Sequence, residues 1–330
     1  MLVRIASGSR RALIVLGALG GMSVLSVTGA KAQAPAVRPA AADVARATGD
    51  VDETERALYA AVRRAPREPS ARGALGAWLA SRGQLRTGAV LLEEARLFGG
   101  DASAIAARLV HVYSWLRDWS SLAALTASPL SVGEKSRAAA LADRGSEVIG
   151  ADSVVVPFAP LEVGALGRLP MAIGSDTLWA EVDPQVEGLV LPGLARGAGI
   201  VEIVGEDRRG MVLIVKEISL GVLTMRNVPA RIDPSLGVGR ARMGFDLFAM
   251  LAPTVDARAG TVTLRRSGRV DERIGVAEIA FVLGFPGVQL AARRGAPMAP
   301  IASPAGRSAL RGRPWTVDIR RGVIWVQSAP

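Results

Sequence analysis

The 330-residue chain has no cysteine, one histidine and only 4% aromatic residues. Without cysteine there can be no disulfide, no thiol nucleophile, no thiolate ligand for a metal and no lipid anchored through sulfur. The lone histidine, His111, cannot build a metal cluster. Beside Tyr113 and Trp115, it reads as a partly buried packing residue of a helix, not as a triad member. Glycine-rich phosphate loops after a strand are missing, as are nucleophile elbows, so neither a nucleotide nor a metal cofactor is expected. Scarce aromatics and the lack of a recognisable nucleic-acid module argue against RNA or DNA as partner.

What is present begins with an export pattern. Arg4, Arg10 and Arg11 precede the apolar run 12–27, and Ala30-Lys31-Ala32 places small residues where a signal peptidase reads them. Residues 1–32 therefore read as a signal peptide cleaved after Ala32, the alternative being an anchor that is kept. The run is short for a membrane span, and no second one follows. The expected location is periplasmic or extracellular. Cleavage would remove four of the 40 basic residues and none of the 30 acidic ones, lowering the formal charge from +10 to +6. The remaining arginines are scattered and read as a solvated surface, with anionic envelope polymers or lipid headgroups as the classes it could favour.

Residues 33–150 show helical spacing. Leu58, Ala61 and Val62 share one stripe, and 71–100 gives two helical stretches broken at Gly83. Sliding the chain by 34 residues sets Leu75 on Leu109, Leu79 on Tyr113 and Leu85 on Trp119, the period of a helical-hairpin array. Leu75-Gly76, Leu79, Gly83, Leu85, Gly88, Leu92 and Ala95 resemble the tetratricopeptide repeat, with a degraded copy after them in which Arg117 and Leu122 replace small residues. The resemblance implies a continuous core between repeats and a concave face offered to partners. Trp78, Tyr113, Trp115 and Trp119 read as core.

From 151 to 330 the pattern changes to short runs of Val, Ile, Leu and Thr separated by turn residues. Turns are expected at 174–176, 205–207 and 221–222. The chain is thus α+β in two domains: a helical-hairpin array followed by a mainly antiparallel β domain. Within 168–264, a strand ends in Val182-Asp183, an apolar Gly188–Pro192 follows, then Met243-Gly244-Phe245-Asp246-Leu247, and finally Val255-Asp256 through Gly260 to Leu264. This ordered set resembles the retropepsin-like aspartic peptidases and implies a retropepsin-like barrel with Asp183 at the catalytic corner.

The corner departs from the family. Where Asp-Thr/Ser-Gly is expected the chain has Asp183-Pro184-Gln185. Two such carboxylates must share a proton to activate one water. Pro184 supplies neither a hydroxyl nor an N–H, and Gln185 adds a Cβ where the family has none. No second Asp-Thr/Ser-Gly occurs, so only a homodimer could supply Asp183 twice. Asp183 reads as a turn residue beside a proline, or else as the acid of a divergent dimeric endopeptidase.

Finally, Thr254–Val262 and Thr316–Ile324 share Thr, Val, Asp, Arg and Gly in register. Residues 268–330 therefore read as a partial second lobe without an acid corner. Asp256 and Asp318 are turn residues, and 295–314, rich in Pro, Gly and Ala, reads as a loop. The functional expectation is an exported, non-catalytic binding or scaffold protein with a peptide or protein partner, an envelope component being one candidate. The alternatives are the active dimeric peptidase and a helical-repeat adaptor carrying an unrelated β domain.

Overall fold

The structure, a computed structural model, describes residues 50–161, 164–193, 200–270, 276–284, 287–291 and 298–327. The export signal expected over 1–32 lies outside them. Among the described residues no helix is long and apolar enough to cross a membrane.

Six helices come first: α1 (Val51–Arg64), α2 (Pro69–Ser81), α3 (Leu85–Leu97), α4 (Ala102–Leu116), α5 (Trp119–Ala124) and α6 (Val132–Arg144). Each start has a local chemical cause. Asp50, Asp101 and Asp118 accept backbone N–H groups of their first turns, Pro69 opens α2, and Ser131 with Glu134 forms a reciprocal capping box. The helix-pairing residues Leu75, Leu79, Leu85, Leu109, Tyr113 and Trp119 are all buried, as the 34-residue spacing requires.

The β region follows directly with β1 (Glu147–Gly150), β2 (Ser153–Pro157), β3 (Ala159–Pro160), β4 (Gly167–Ile173), β5 (Asp176–Asp183), β6 (Leu189–Leu191), β7 (Val201–Asp207), β8 (Gly210–Leu220), β9 (Leu223–Ile232) and β10 (Arg240–Gly244). Then come α7 (Phe245–Ala249), β11 (Thr254–Asp256), β12 (Thr261–Arg265), β13 (Val276–Leu283), β14 (Val288–Ala291), β15 (Ala299–Pro300), α8 (Pro304–Leu310), β16 (Trp315–Asp318) and β17 (Val323–Gln327).

Six strands close on themselves in the order β9–β6–β10–β5–β4–β8, with β8 pairing back to β9. Two of these pairings are parallel, β5 with β10 and β6 with β9; the others are antiparallel. Alternate residues of the strands fill the barrel: Leu169, Met171, Ile173, Ala180, Val182, Leu213, Val215 and Met243 are all sealed from solvent. A second sheet, β15–β14–β13–β17–β16–β11–β12–β2, is antiparallel throughout. One apolar cluster runs through both sheets and includes Phe158, Phe245, Phe248, Phe281, Leu290, Ile301 and Ile324.

Two local expectations change. The reversal expected at 205–207 falls at Arg208-Arg209, between β7 and β8. Gly205 instead lies within β7 at a register shift, where an added Cβ would lie 2.5 Å from the Cα of Gly133. Its missing side chain is spent on seating α6. Likewise 298–314 is not irregular: it holds β15 and α8, with Ser303 capping the helix by accepting the Gly306 N–H and Pro304 opening it.

The helical array is fastened to the β region by guanidinium groups. Arg82, after α2, donates to the carbonyls of Phe281 and Gly322, the latter at 2.6 Å. Arg117, at the end of α4, pairs with Asp246 at 3.3 Å, and Arg137 on α6 donates to the Ala230 carbonyl at 3.2 Å. Gly83 and Gly322 sit where this docking brings backbones together. Both have positive φ (80° and 63°), and a Cβ on Gly83 would run into the Ile319 carbonyl. These arginines are not the solvated surface that composition suggested.

Candidate functional site

Asp183 ends β5. Along that strand the burial alternates, so Thr177, Trp179, Glu181 and Asp183 share the outward face while Ala180 and Val182 point into the barrel. The neighbouring strand β10 runs parallel and sets Gly244 beside Asp183, Arg242 beside Glu181 and Arg240 beside Trp179. The Asp183 side chain is 17% exposed. Its Oδ1 accepts the Gln185 N–H at 2.8 Å, and its Oδ2 faces the Arg242 guanidinium at 3.9 Å. Pro184 is buried and Gln185 exposed. Among the described residues, no carboxylate shares a hydrogen bond with Asp183.

The outer face around it is charged in alternation. Arg240 bonds Glu181, Arg168 stands opposite Glu181, and the Arg168 guanidinium lies 5.1 Å from the Trp179 ring. Three guanidiniums and two carboxylates therefore surround a half-exposed indole.

Behind the corner, the loop after Asp183 is gripped from two sides. Gly188 donates its N–H to Asp246 Oδ1 at 2.9 Å and accepts the Gly244 N–H at 2.7 Å. Asp246 is almost completely buried, and burial pushes its carboxyl above the ordinary range. The Arg117 charge works against that rise, Glu187 adds to it, and the N–H groups of Gly188 and Leu247 lower it. Arg117 is itself mostly buried, its side chain 13% exposed, and held in left-handed backbone (φ 57°) at the end of α4; burial lowers its pKa and Asp246 raises it. Six residues earlier on α4, His111 Nδ1 lies 2.7 Å from Glu187 Oε1. The packing role read for His111 is thus joined by a polar one. It ties the helical array to the loop that leaves Asp183.

Asp183, the one site residue named from sequence, lies in this neighbourhood. In the sequence Asp246 reads only as part of the 243–247 element, His111 as packing and Arg117 as a replaced small residue; Glu187 is not singled out, and none of the four reads as a neighbour of the Asp183 corner. The 76 positions between His111 and Glu187, and the 129 between Arg117 and Asp246, hide both contacts from pattern reading. Asp256 and Asp318 cap turns, each accepting a backbone N–H two or three residues on, as expected. No group of three or more His, Cys, Asp or Glu among the described residues could hold a metal ion. Against known proteins, the chain matches no family model, no curated protein and no solved structure.

Proposed function

We propose that the protein is an exported, non-catalytic binding or scaffold module whose β domain derives from an aspartic-peptidase-like lobe. The observation that carries this reading is the surroundings of Asp183. Its carboxylate accepts the Gln185 N–H and faces the Arg242 guanidinium, whereas a peptidase pair needs a second carboxylate close enough to hold a shared proton. Pro184 and Gln185 support the same reading, because they remove the hydroxyl and the bare backbone that such a corner uses to align its acid. Errors near 1 Å in placement already cost about a hundredfold in rate.

The ligand class in this reading is an extended peptide or an envelope protein. The outer face around Trp179, with its alternating Arg and Glu, suits a chain that presents both carboxylates and backbone amides. The test is incubation of the purified mature protein with a peptide library across acid and neutral pH. No cleavage is expected, with retained peptide binding that weakens on Trp179→Ala. Acid-optimal cleavage abolished by Asp183→Asn would overturn the proposal.

A further inference from the structure

Thr254 pairs with Thr316, 62 residues later, and the ladders on either side of that pair run in step. On one side Val262 of β12 faces Val156 of β2; on the other Ile324 of β17, the repeat mate of Val262, faces Ile279 of β13. Ile279 therefore answers Val156, and two residues further Phe281 answers Phe158. Both rings are buried in the shared core. Each of the two amides also donates to a glycine carbonyl in the matching hairpin: Phe158 to Gly260 at 2.8 Å, Phe281 to Gly322 at 2.9 Å. Those glycines are repeat mates, with φ of 66° and 63°.

The correspondence continues outward. Ala159 faces Arg168, and Val282, its counterpart, faces Gln289. Leu169 then answers Leu290, and both are fully buried. Leu169 faces Ala180, and Leu290 faces Ala299. Two residues past these lie Val182 and Ile301, both sealed. One step more reaches Asp183 in the first copy and Ala302 in the second.

We infer that residues 276–327 form a reduced second lobe, related to 153–265 by a two-fold axis through the Thr254–Thr316 pair, and that Ala302 stands where the counterpart of Asp183 would stand. The second lobe passes from Ala302 straight into α8, without equivalents of β6 to β10. Each corner leans on the other lobe. An ideal Cβ on Gly287 would lie 3.2 Å from the Gln185 carboxamide nitrogen, and Arg307, just after Ala302, donates to the carbonyls of Leu161, Gly164 and Ala165. The chain thus supplies its own partner lobe, and what it sets opposite the acid is a methyl group. The functional meaning rests on the peptidase-like reading; the two-fold itself does not.

The absence of cysteine makes the test clean. In the full chain, Asp183→Cys with Ala302→Cys is treated with a short bifunctional thiol reagent, with Thr254→Cys/Thr316→Cys as the pair known to be adjacent. The expected result is loss of both thiols and gain of one linker mass in a monomeric chain. A control pair that bridges while the 183/302 pair does not, or a 183/302 pair that links only between chains, overturns the inference. Ala302→Asp gives a second measurement. The carboxyls at 183 and 302 should then titrate as one coupled pair in two separated steps; two carboxyls that titrate independently of each other overturn the inference as well. Peptide cleavage by the parent protein would defeat the peptidase-derived, non-catalytic reading while leaving these two results untouched.

Discussion

The hydroxyl oxygens of Thr254 and Thr316 lie 2.8 Å apart across the β11–β16 seam, so that each residue faces its own copy in the sequence. Thr254 Oγ1 also accepts from the Arg265 guanidinium at 2.8 Å. A seam made of repeat mates is a self-complementary contact, and it lies in the middle of one sheet over the shared core.

Thr254→Val should therefore cost about 1–2 kcal/mol, since it removes one of the acceptors of the Arg265 guanidinium, which keeps the Ala252 carbonyl, as well as the hydroxyl pair, while Thr316→Val should cost about 1 kcal/mol. In a double-mutant cycle followed by urea unfolding, the two should couple by about 0.5 kcal/mol or more. Strict additivity would show that the hydroxyls do not pair.

Arg117→Ala leaves Asp246 buried without its cation and is expected to destabilise by about 3–5 kcal/mol; Arg117→Met with Asp246→Leu should recover much of that loss. Urea midpoints of the three proteins decide it, and a single variant no worse than the double would contradict the buried pair.

Asp246 also sets a pH dependence. Its folded pKa is raised above the unfolded value, so its contribution favours folding most at low pH and is lost as pH rises through the raised folded value. Asp246→Asn removes that contribution. The stability of the parent protein relative to the Asn variant should fall as pH climbs from the ordinary carboxylate range toward neutrality, and a relative stability that instead rises would refute the direction.

Asn227 holds positive φ (54°) in β9 and donates to the Gly145 carbonyl at 2.9 Å, while its own carbonyl accepts from Ser146. Asn227→Ala loses the side-chain bond and strains the backbone, for about 1–2 kcal/mol; Asn227→Gly loses the bond alone and should cost less. Thermal midpoints in the reverse order would show that backbone strain is not what asparagine relieves there.

Much of the β architecture was legible because hairpins write themselves locally. The turns at Gly174-Ser175 and Gly221-Val222 lie between alternating runs, and the Thr254/Thr316 repeat kept five matching residues. The deeper half of the two-fold was not legible, because Phe158/Phe281 and Leu169/Leu290 are isolated identities among residues that only burial constrains. Ile301-Ala302-Ser303-Pro304 looked like loop because its composition is loop-like. Its one local signal was a serine before a proline, the pattern of a helix start. Asp183 was found through the order of elements around it, whereas the contacts of His111 and Arg117 went unread because a helix stripe does not say which distant loop it will meet.

The arginine anchors set how this molecule can move. Arg82 is fixed to carbonyls of Phe281 and Gly322 in the second sheet, and Arg117 and Arg137 are fixed to Asp246 and to the Ala230 carbonyl beside the barrel, so the array works as a splint across both sheets. A clam-shell swing of one half away from the other would tear out buried cations.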